Sequence, residues 1–233
     1  MEQVLHNFYT EDEIDRIWKE IYFLNSTDFG WISPNPIRNA TDKNGIPLIQ
    51  GAKQFDLTVL FDKYEYAMGT TKSNIYSLGK KICKWIEYLK NKHDVYYNLH
   101  AVNQHATFLN YYNQDNGVYK LHHDRSTYTM LSYFYEEPKN FIGGDLLVED
   151  RKYEISNGFT IILPGWMQHG TTSIKIIDKT RTTSGRYSIA NFFNIGTQSI
   201  KDNGLYAEID CNFSNFFNIK HQLFDPTPIP VKE

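Results

Sequence analysis

The chain has 233 residues, of which 41% are hydrophobic and 22% charged, the balance of a soluble globular protein long enough to bury a sizeable core. Its 24 Lys and Arg are outnumbered by 27 Asp and Glu, for a net charge of −3. That leaves no cationic excess to neutralise a phosphate backbone, which excludes nucleic acid as the expected partner.

The run Met1 to Asn7 has neither the basic nor the apolar region of a signal peptide, and no stretch approaches the length of a membrane span. Cys83 and Cys211 lie far apart and are read as free thiols, so a cytoplasmic protein without membrane association is expected. Thr10-Glu11-Asp12-Glu13 is a capping box, with Tyr9 and Ile14 placed for a hydrophobic staple. Ile14, Ile17, Trp18, Ile21 and Leu24 follow at helical spacing and predict a first helix over 11–24. Ile75, Leu78, Ile82, Trp85, Ile86 and Leu89 predict a second over 72–91. Between them, residues 31–54 are rich in Pro, Asn and Gly, which reads as a long loop with short extended pieces: a lid, a binding loop or a plain surface excursion.

From residue 95 the pattern changes to strands at 100–112, 128–135, 146–148, 159–163 and 187–193, separated by turn signals such as Asn116-Gly117, Gly143-Gly144 and Asn157-Gly158. The 15% aromatic content fits such a sheet-rich core. The expected fold is mainly β with supporting α-helices: a double-stranded β-helix (jelly roll) core flanked by N-terminal helices. One domain is expected, with helical support and a lid loop over 1–95, the jelly-roll core over 96–200 and a C-terminal extension over 201–233. The Pro-rich run Asp225 to Pro230 is expected to lie extended over the surface.

Within the strand region, Leu121-His122-His123-Asp124 carries the chemistry. Side chains at i and i+2 of a strand share a face, so His122 and Asp124 converge while His123 points elsewhere. His169, after the 159–163 strand, supplies a third ligand from another part of the sheet. Two imidazoles and one carboxylate form the ligand set of a non-haem Fe(II) oxygenase and leave coordination positions open. Alone, a His-x-Asp pair also arises by chance. His100 and His105, expected on one strand, read as structural histidines, and His6, His93 and His221 receive no role. Asp145 and Glu149 are the remaining acids near these motifs. No Gly-x-Ser-x-Gly elbow, phosphate loop or Cys-x-x-Cys pair occurs.

Three further segments accompany the ligands in order: Gly143-Gly144-Asp145-Leu146, Asn157-Gly158 leading through an apolar strand to His169, and Ser184-Gly185-Arg186-Tyr187. Together with Gly117-Val118-Tyr119-Lys120-Leu121-His122-His123-Asp124, they resemble the 2-oxoglutarate and Fe(II)-dependent oxygenase superfamily, prolyl 4-hydroxylase-like branch, over roughly residues 106–195. The resemblance implies that His122, Asp124 and His169 bind Fe(II), and that Arg186 pairs with the far carboxylate of the cosubstrate 2-oxoglutarate. A planar guanidinium suits that task because it grips a carboxylate with two parallel hydrogen bonds. Tyr112 and Tyr119 match the branch's two tyrosines, Tyr112 being the better placed to donate to the same carboxylate, although it lies one residue off register. It further implies O2 as oxidant, ascorbate as a candidate reductant, and Asp145 as part of a turn.

The interval from His169 to Arg186 is longer than in the branch, so Ile174 to Thr183 reads as an inserted hairpin or loop, and Arg181 becomes a rival anchor. Arg186 is preferred because it directly precedes the strand pattern 187–193. The implied activity is hydroxylation of an aliphatic carbon, with a prolyl residue of a peptide or protein as substrate and the 31–54 and 174–183 segments as groove walls. Tyr64, Tyr66 and Trp166 are aromatics able to stack on a proline ring. A free amino acid or small metabolite is the alternative substrate, and a non-catalytic metal- or ligand-binding jelly-roll module the alternative function.

Overall fold

The computed structural model describes residues 1–27, 30–37, 39–58 and 73–196, together with the backbone of 207–208. The C-terminal extension, Tyr64, Tyr66 and Cys211 otherwise lie outside the described residues. β1 (Gln3–Val4) leads into α1 (Glu11–Asn25) through the expected capping box. The Thr10 hydroxyl accepts from the Glu13 amide at 3.3 Å, and the Glu13 carboxylate accepts from the Thr10 amide at 2.9 Å. β2 (Ile49–Gln50) and β3 (Ala52–Asp56) fall inside the segment read as loop. β3 is a genuine sheet strand, so the loop expectation holds only up to about residue 48.

The single helix expected over 72–91 is instead three pieces: α2 (Asn74–Gly79), a 3-10 segment (Lys80–Trp85) and α3 (Ile86–Lys92). The break follows Gly79, which lies close against Asn191. A Cβ there would lie 2.2 Å from Asn191 Oδ1, so only glycine permits the approach. The apolar stripe survives, since Ile75, Ile82, Ile86 and Leu89 are all buried. Lys81 pairs with Glu13 at 2.6 Å and ties this segment to α1. Asp94–Ala101 is a further 3-10 segment, so His100 sits outside the strand in which it was expected.

The remaining strands are β4 (Gln104–Tyr112), β5 (Val118–Tyr119), β6 (Tyr128–Phe134), β7 (Phe141–Gly143), β8 (Leu146–Val148) and β9 (Arg151–Tyr153). They continue with β10 (Thr160–Pro164), β11 (His169–Thr171), β12 (Ile174–Ile176), β13 (Arg186–Asn194) and β14 (Ala207–Glu208). A seven-stranded antiparallel sheet runs β1-β10-β6-β13-β4, with β14 and β3 pairing to β4. Smaller antiparallel groups, β11-β8-β9, β12-β7 and β2-β5, lie apart from it. The expected 174–183 insertion is therefore partly structural, because its first residues form β12 and pair with β7.

Strand alternation divides the main sheet into two faces. Leu109, Tyr111, Met130, Phe134, Tyr187, Ile189 and Phe193 join Ile17, Ile21, Leu24, Ile82 and Leu89 in the core beneath the helices. The alternate residues Tyr112, Leu131, Tyr133 and Ala190 join Leu146, Val148 and Ile174 from the small groups in a second core. Burying each such Leu or Ile contributes roughly 1.5–3 kcal/mol. The second face is the one that holds the pocket.

Cys83 is disulfide-bonded, which overturns the expectation of free thiols and removes one ground for a cytoplasmic location. No helix among the described residues is long and apolar enough to cross a membrane.

His105 is buried under the helices, stacked on Phe193 with ring centroids 5.0 Å apart and on Tyr76 at 5.3 Å. Its Nε2 meets Asn191 Oδ1 at 3.0 Å and Thr107 Oγ1 at 2.9 Å, while Nδ1 has no hydrogen-bond partner. It is structural, as expected, but only half satisfied. Burial pushes its pKa down to about 4. Because the unfolded state then binds the proton first, stability should fall as pH drops from 6.5 towards 4, by roughly 3 kcal/mol from this group. Urea unfolding of wild type and His105→Gln at pH 7 and pH 4.5 checks it: the variant should lose less stability on acidification, and parallel losses would refute the assignment.

Candidate metal centre and its pocket

His122 and His169 are brought together by a two-bond backbone bridge, each amide donating to the other residue's carbonyl at 2.9 Å. Gly170 permits this contact, since a Cβ there would lie 2.8 Å from the Tyr119 carbonyl oxygen and 2.9 Å from the Leu121 nitrogen. Asp124 lies beyond the strand and is held by its amide bond to the Gly165 carbonyl at 2.8 Å. The convergence expected from simple strand alternation thus comes from a bridge followed by a turn. His123 faces away: it is exposed, and its Nδ1 lies 2.7 Å from the Trp166 carbonyl.

The ligating atoms of His122, Asp124 and His169 all lie within 4.8 Å of one another. His122 Nε2 is 3.4 Å from Asp124 Oδ1, and His169 Nε2 is 3.1 Å from Oδ2. Each histidine is oriented the same way, Nδ1 meeting the carbonyl of the residue two before it: Lys120 at 2.7 Å and Met167 at 2.9 Å. A carbonyl only accepts, so Nδ1 carries the proton and the Nε2 lone pair is turned to the carboxylate side. Burial alone would raise the Asp124 pKa, yet the two imidazoles hold it well below the usual carboxylate range. Burial would lower the His169 pKa, and the Asp124 charge reverses this and raises it. A buried carboxylate set against two imidazole Nε2 atoms is completed by a cation, either a proton on an imidazole or a metal ion. With nitrogen and carboxylate donors only, the set fits Fe(II).

A pocket extends from this cluster and is also lined by Tyr112, Tyr119 and Arg186. All six residues singled out from the sequence therefore share one cavity. Arg186 is fully buried at the start of β13, opposite Tyr112 in register, its guanidinium 4.2 Å from the Tyr112 ring centroid and 5.3 Å from that of Tyr133. Nη1 donates to the Gly144 carbonyl at 2.5 Å, whereas Nε and Nη2 have no partner. Unsatisfied buried donors on a charged group are costly, and these two present the fork that a carboxylate fits. Arg181 is not in the pocket: its Nη1 donates to the Glu137 and Pro138 carbonyls at 3.3 and 3.2 Å.

Burial pushes the Tyr112 hydroxyl up to about 12 despite the opposing charge of Arg186, and pushes Tyr119 higher still. Both are therefore protonated donors at neutral pH. Tyr119 stacks on His122 with centroids 3.8 Å apart, and its oxygen accepts from the Ala40 amide at 3.1 Å. The proline-rich segment thus reaches the site through Asn39 and Ala40.

Sequence reasoning missed the neutral polar wall. Gln54, Asn110 and Ser188 lie side by side across β3, β4 and β13. Gln54 Nε2 donates to Asn110 Oδ1 at 2.7 Å and to Asn39 Oδ1 at 2.8 Å. The signal was available, because alternation puts Asn110 and Ser188 on the faces of Tyr112 and Arg186. Thr129 was also missed; its hydroxyl donates to Asp124 Oδ2 at 2.6 Å. Asp145 lies outside the pocket and pairs with Lys152 at 2.8 Å, while Glu149 accepts from the Gln168 amide at 2.8 Å. Trp166 is exposed.

No protein-family model and no curated protein sequence matches the chain. Solved structures do. A prolyl 4-hydroxylase from Phytophthora capsici is similar at 13% identity and a TM-score of 0.52, over 83% of this chain and 58% of that one. An oxidoreductase of the 2OG-Fe(II) oxygenase family from Burkholderia pseudomallei is similar at 10% identity and 0.50, over 84% of this chain and 85% of that one. A Pseudomonas putida prolyl-4-hydroxylase is similar at 12% identity and 0.48, over 83% and 91%. At such identities the likeness is one of fold: a mainly β architecture of antiparallel sheets with three helices among the described residues.

Proposed function

We propose that this protein is a 2-oxoglutarate- and Fe(II)-dependent dioxygenase that hydroxylates an aliphatic carbon, with a prolyl residue of a peptide or protein as the substrate. One observation carries the reading: a two-histidine, one-carboxylate cluster and a fully buried arginine with two free donors occupy the same pocket. Fe(II), bound with 2-oxoglutarate and O2, would supply the oxidising power, with the cosubstrate cleaved to succinate and carbon dioxide. The chain does the rest. His122, Asp124 and His169 would hold the metal on one side, leaving the pocket side open. Arg186 would grip the far carboxylate of the cosubstrate, and Tyr112, stacked on it, would add a hydroxyl donor. Tyr119 braces the His122 ring. Apolar Phe108, Leu131, Leu146, Ala190 and Phe192 line the remainder and exclude water.

The pocket lining supports a residue within a chain over a free amino acid. With Asp124 assigned to metal and Arg186 to cosubstrate, no other Asp, Glu, Lys or Arg among the described residues lines the cavity. A zwitterion would bury two charges without partners, which is strongly unfavourable, whereas amides match Asn39, Gln54 and Asn110. The strand order β10-β6-β13-β4, set against β9-β8-β11 and β5, also supports the jelly-roll reading of the core.

The test is succinate formation from 2-oxoglutarate by purified protein with Fe(II), O2 and ascorbate as reductant, across proline-containing peptides and free amino acids. Peptide-dependent succinate with a gain of one oxygen in the peptide is expected. Preference for a free amino acid would overturn the substrate class. Metal binding without any succinate would favour the non-catalytic module.

A further inference from the structure

Gln54 and Asn39 both line the pocket, yet the chain holds them differently. Gln54 is buried on β3, where its backbone exchanges hydrogen bonds of 2.8 and 2.9 Å with Ile32 and pairs with Asn110 of β4 on the other side. The Asn39 amide instead bonds within its own turn, to the Asn35 carbonyl at 3.2 Å. Their side chains form a reciprocal pair: Asn39 Nδ2 donates to Gln54 Oε1 and Gln54 Nε2 to Asn39 Oδ1, both at 2.8 Å. Asn39 Nδ2 also donates to the Asn35 carbonyl at 3.0 Å. A carbonyl only accepts, so that bond fixes which end of each carboxamide is the donor. The second hydrogen of Gln54 Nε2 goes to Asn110 Oδ1 at 2.7 Å. If the Asn39 side chain turns away, Gln54 is left with one N–H and one carbonyl side by side, on a strand that need not move. A residue in an extended chain offers the matching pair, because its own N–H and C=O point to the same side.

We infer that Gln54 is a specificity-determining residue that binds the backbone N–H and C=O of one substrate residue, and that Asn39 fills this place until a peptide displaces it. The inference rests on the peptide reading above and refines it. Proline has no N–H, so the residue bound is a neighbour of the prolyl residue in the peptide. A free amino acid carries an ammonium group and a carboxylate in place of the neutral pair, and burying them is unfavourable. Displacement involves only the Asn39 side chain, since the Ala40 amide keeps its own bond to the Tyr119 oxygen at 3.1 Å.

The test is calorimetric binding of end-capped pentapeptides centred on proline to protein loaded with Mn(II) and 2-oxoglutarate. Gln54→Met keeps the length of the side chain and loses both polar groups, and should weaken peptide binding about 10-fold or more, the worth of two neutral hydrogen bonds. Asn39→Ala should tighten binding about two- to fivefold, because the competing side chain is gone. Opposite signs separate the two residues from a merely structural pair, and weaker binding in both variants would overturn the inference. Peptides N-methylated at the residue before or after proline give a second reading that needs no variant to fold. One of these methylations should cost wild type about 10-fold, and that cost should shrink to within about twofold in Gln54→Met. Equal tolerance of both methylated peptides by wild type, or a cost undiminished in Gln54→Met, would also overturn it. The two levels stay distinct. Absence of peptide binding by wild type would remove the substrate reading itself, while wild-type affinity in Gln54→Met would remove only the role of Gln54.

Discussion

Arg186→Met is expected to weaken 2-oxoglutarate binding on the order of 100-fold or more, while leaving the thermal midpoint of the ligand-free protein unchanged or raised. The two halves of this expectation have one cause. In the free protein the guanidinium is fully buried with Nε and Nη2 unpaired, its stacking on Tyr112 and Tyr133 and its single bond to the Gly144 carbonyl offsetting only part of the desolvation. Methionine fills similar volume without a charge to desolvate, so the free protein loses little. The cosubstrate complex loses a buried charge pair, which costs about 2–5 kcal/mol, and tenfold in affinity corresponds to about 1.4 kcal/mol. Calorimetric titration of 2-oxoglutarate into the Mn(II)-loaded protein gives the first quantity, and thermal melts with and without cosubstrate give the second. Arg181→Ala is the contrast. Its side chain bonds the Glu137 and Pro138 carbonyls on the outer surface, so cosubstrate affinity should stay within about twofold. A reversal, with Arg181→Ala losing the cosubstrate and Arg186→Met keeping it, would sink the assignment.

That Arg186 rather than Arg181 lines the pocket was legible in the sequence for a physical reason. Arg186 directly precedes the strand pattern 187–193, whereas Arg181 sits among Lys, Thr and Ser in a loop-like run. His122 and Asp124 are legible only in company: a lone His-x-Asp arises by chance, and the ordered motifs down to His169 and Arg186 are what mark the pair. The α1 boundary is legible because capping is local: Thr10 and Glu13 need only each other.

What stayed hidden depends on contacts between distant parts of the chain. The helix break follows Gly79, which packs against Asn191 of β13, and nothing within 72–91 announces that contact. β3 reads as loop because Ala-Lys-Gln-Phe-Asp lacks a clean alternation, yet it pairs with the edge of β4 along its whole length. His100 and His105 look alike in sequence, and a 3-10 segment separates them into an exposed residue and a fully buried one. Thr129 is hidden for the same reason as the amide wall. Its hydroxyl donates to Asp124, and a hydroxyl's partner is set by the folded chain rather than by spacing.

Asp124→Asn should abolish turnover and weaken Co(II) or Fe(II) binding by more than about 100-fold, beyond the loss typical of a residue that merely supports a ligand. Asparagine keeps the shape, and its carbonyl can still accept from Thr129, so the variant isolates charge from packing. The carboxylate is the cluster's sole anion, and without it two neutral imidazoles must hold a divalent cation in a buried site with no compensating charge. His122→Ala and His169→Ala should be as severe, because the backbone bridge between them would survive while a nitrogen donor is lost. His123→Ala is the informative neighbour. It adjoins both ligands in sequence, yet its ring is turned to the Trp166 carbonyl at the exposed rim, and its removal should change metal affinity by no more than about twofold. Equilibrium dialysis of the four variants against the metal, followed by succinate assays, distinguishes the cases. Equal losses at His122 and His123 would mean that proximity in sequence, rather than the face each ring presents, governs the site, and the facial arrangement would have to be abandoned.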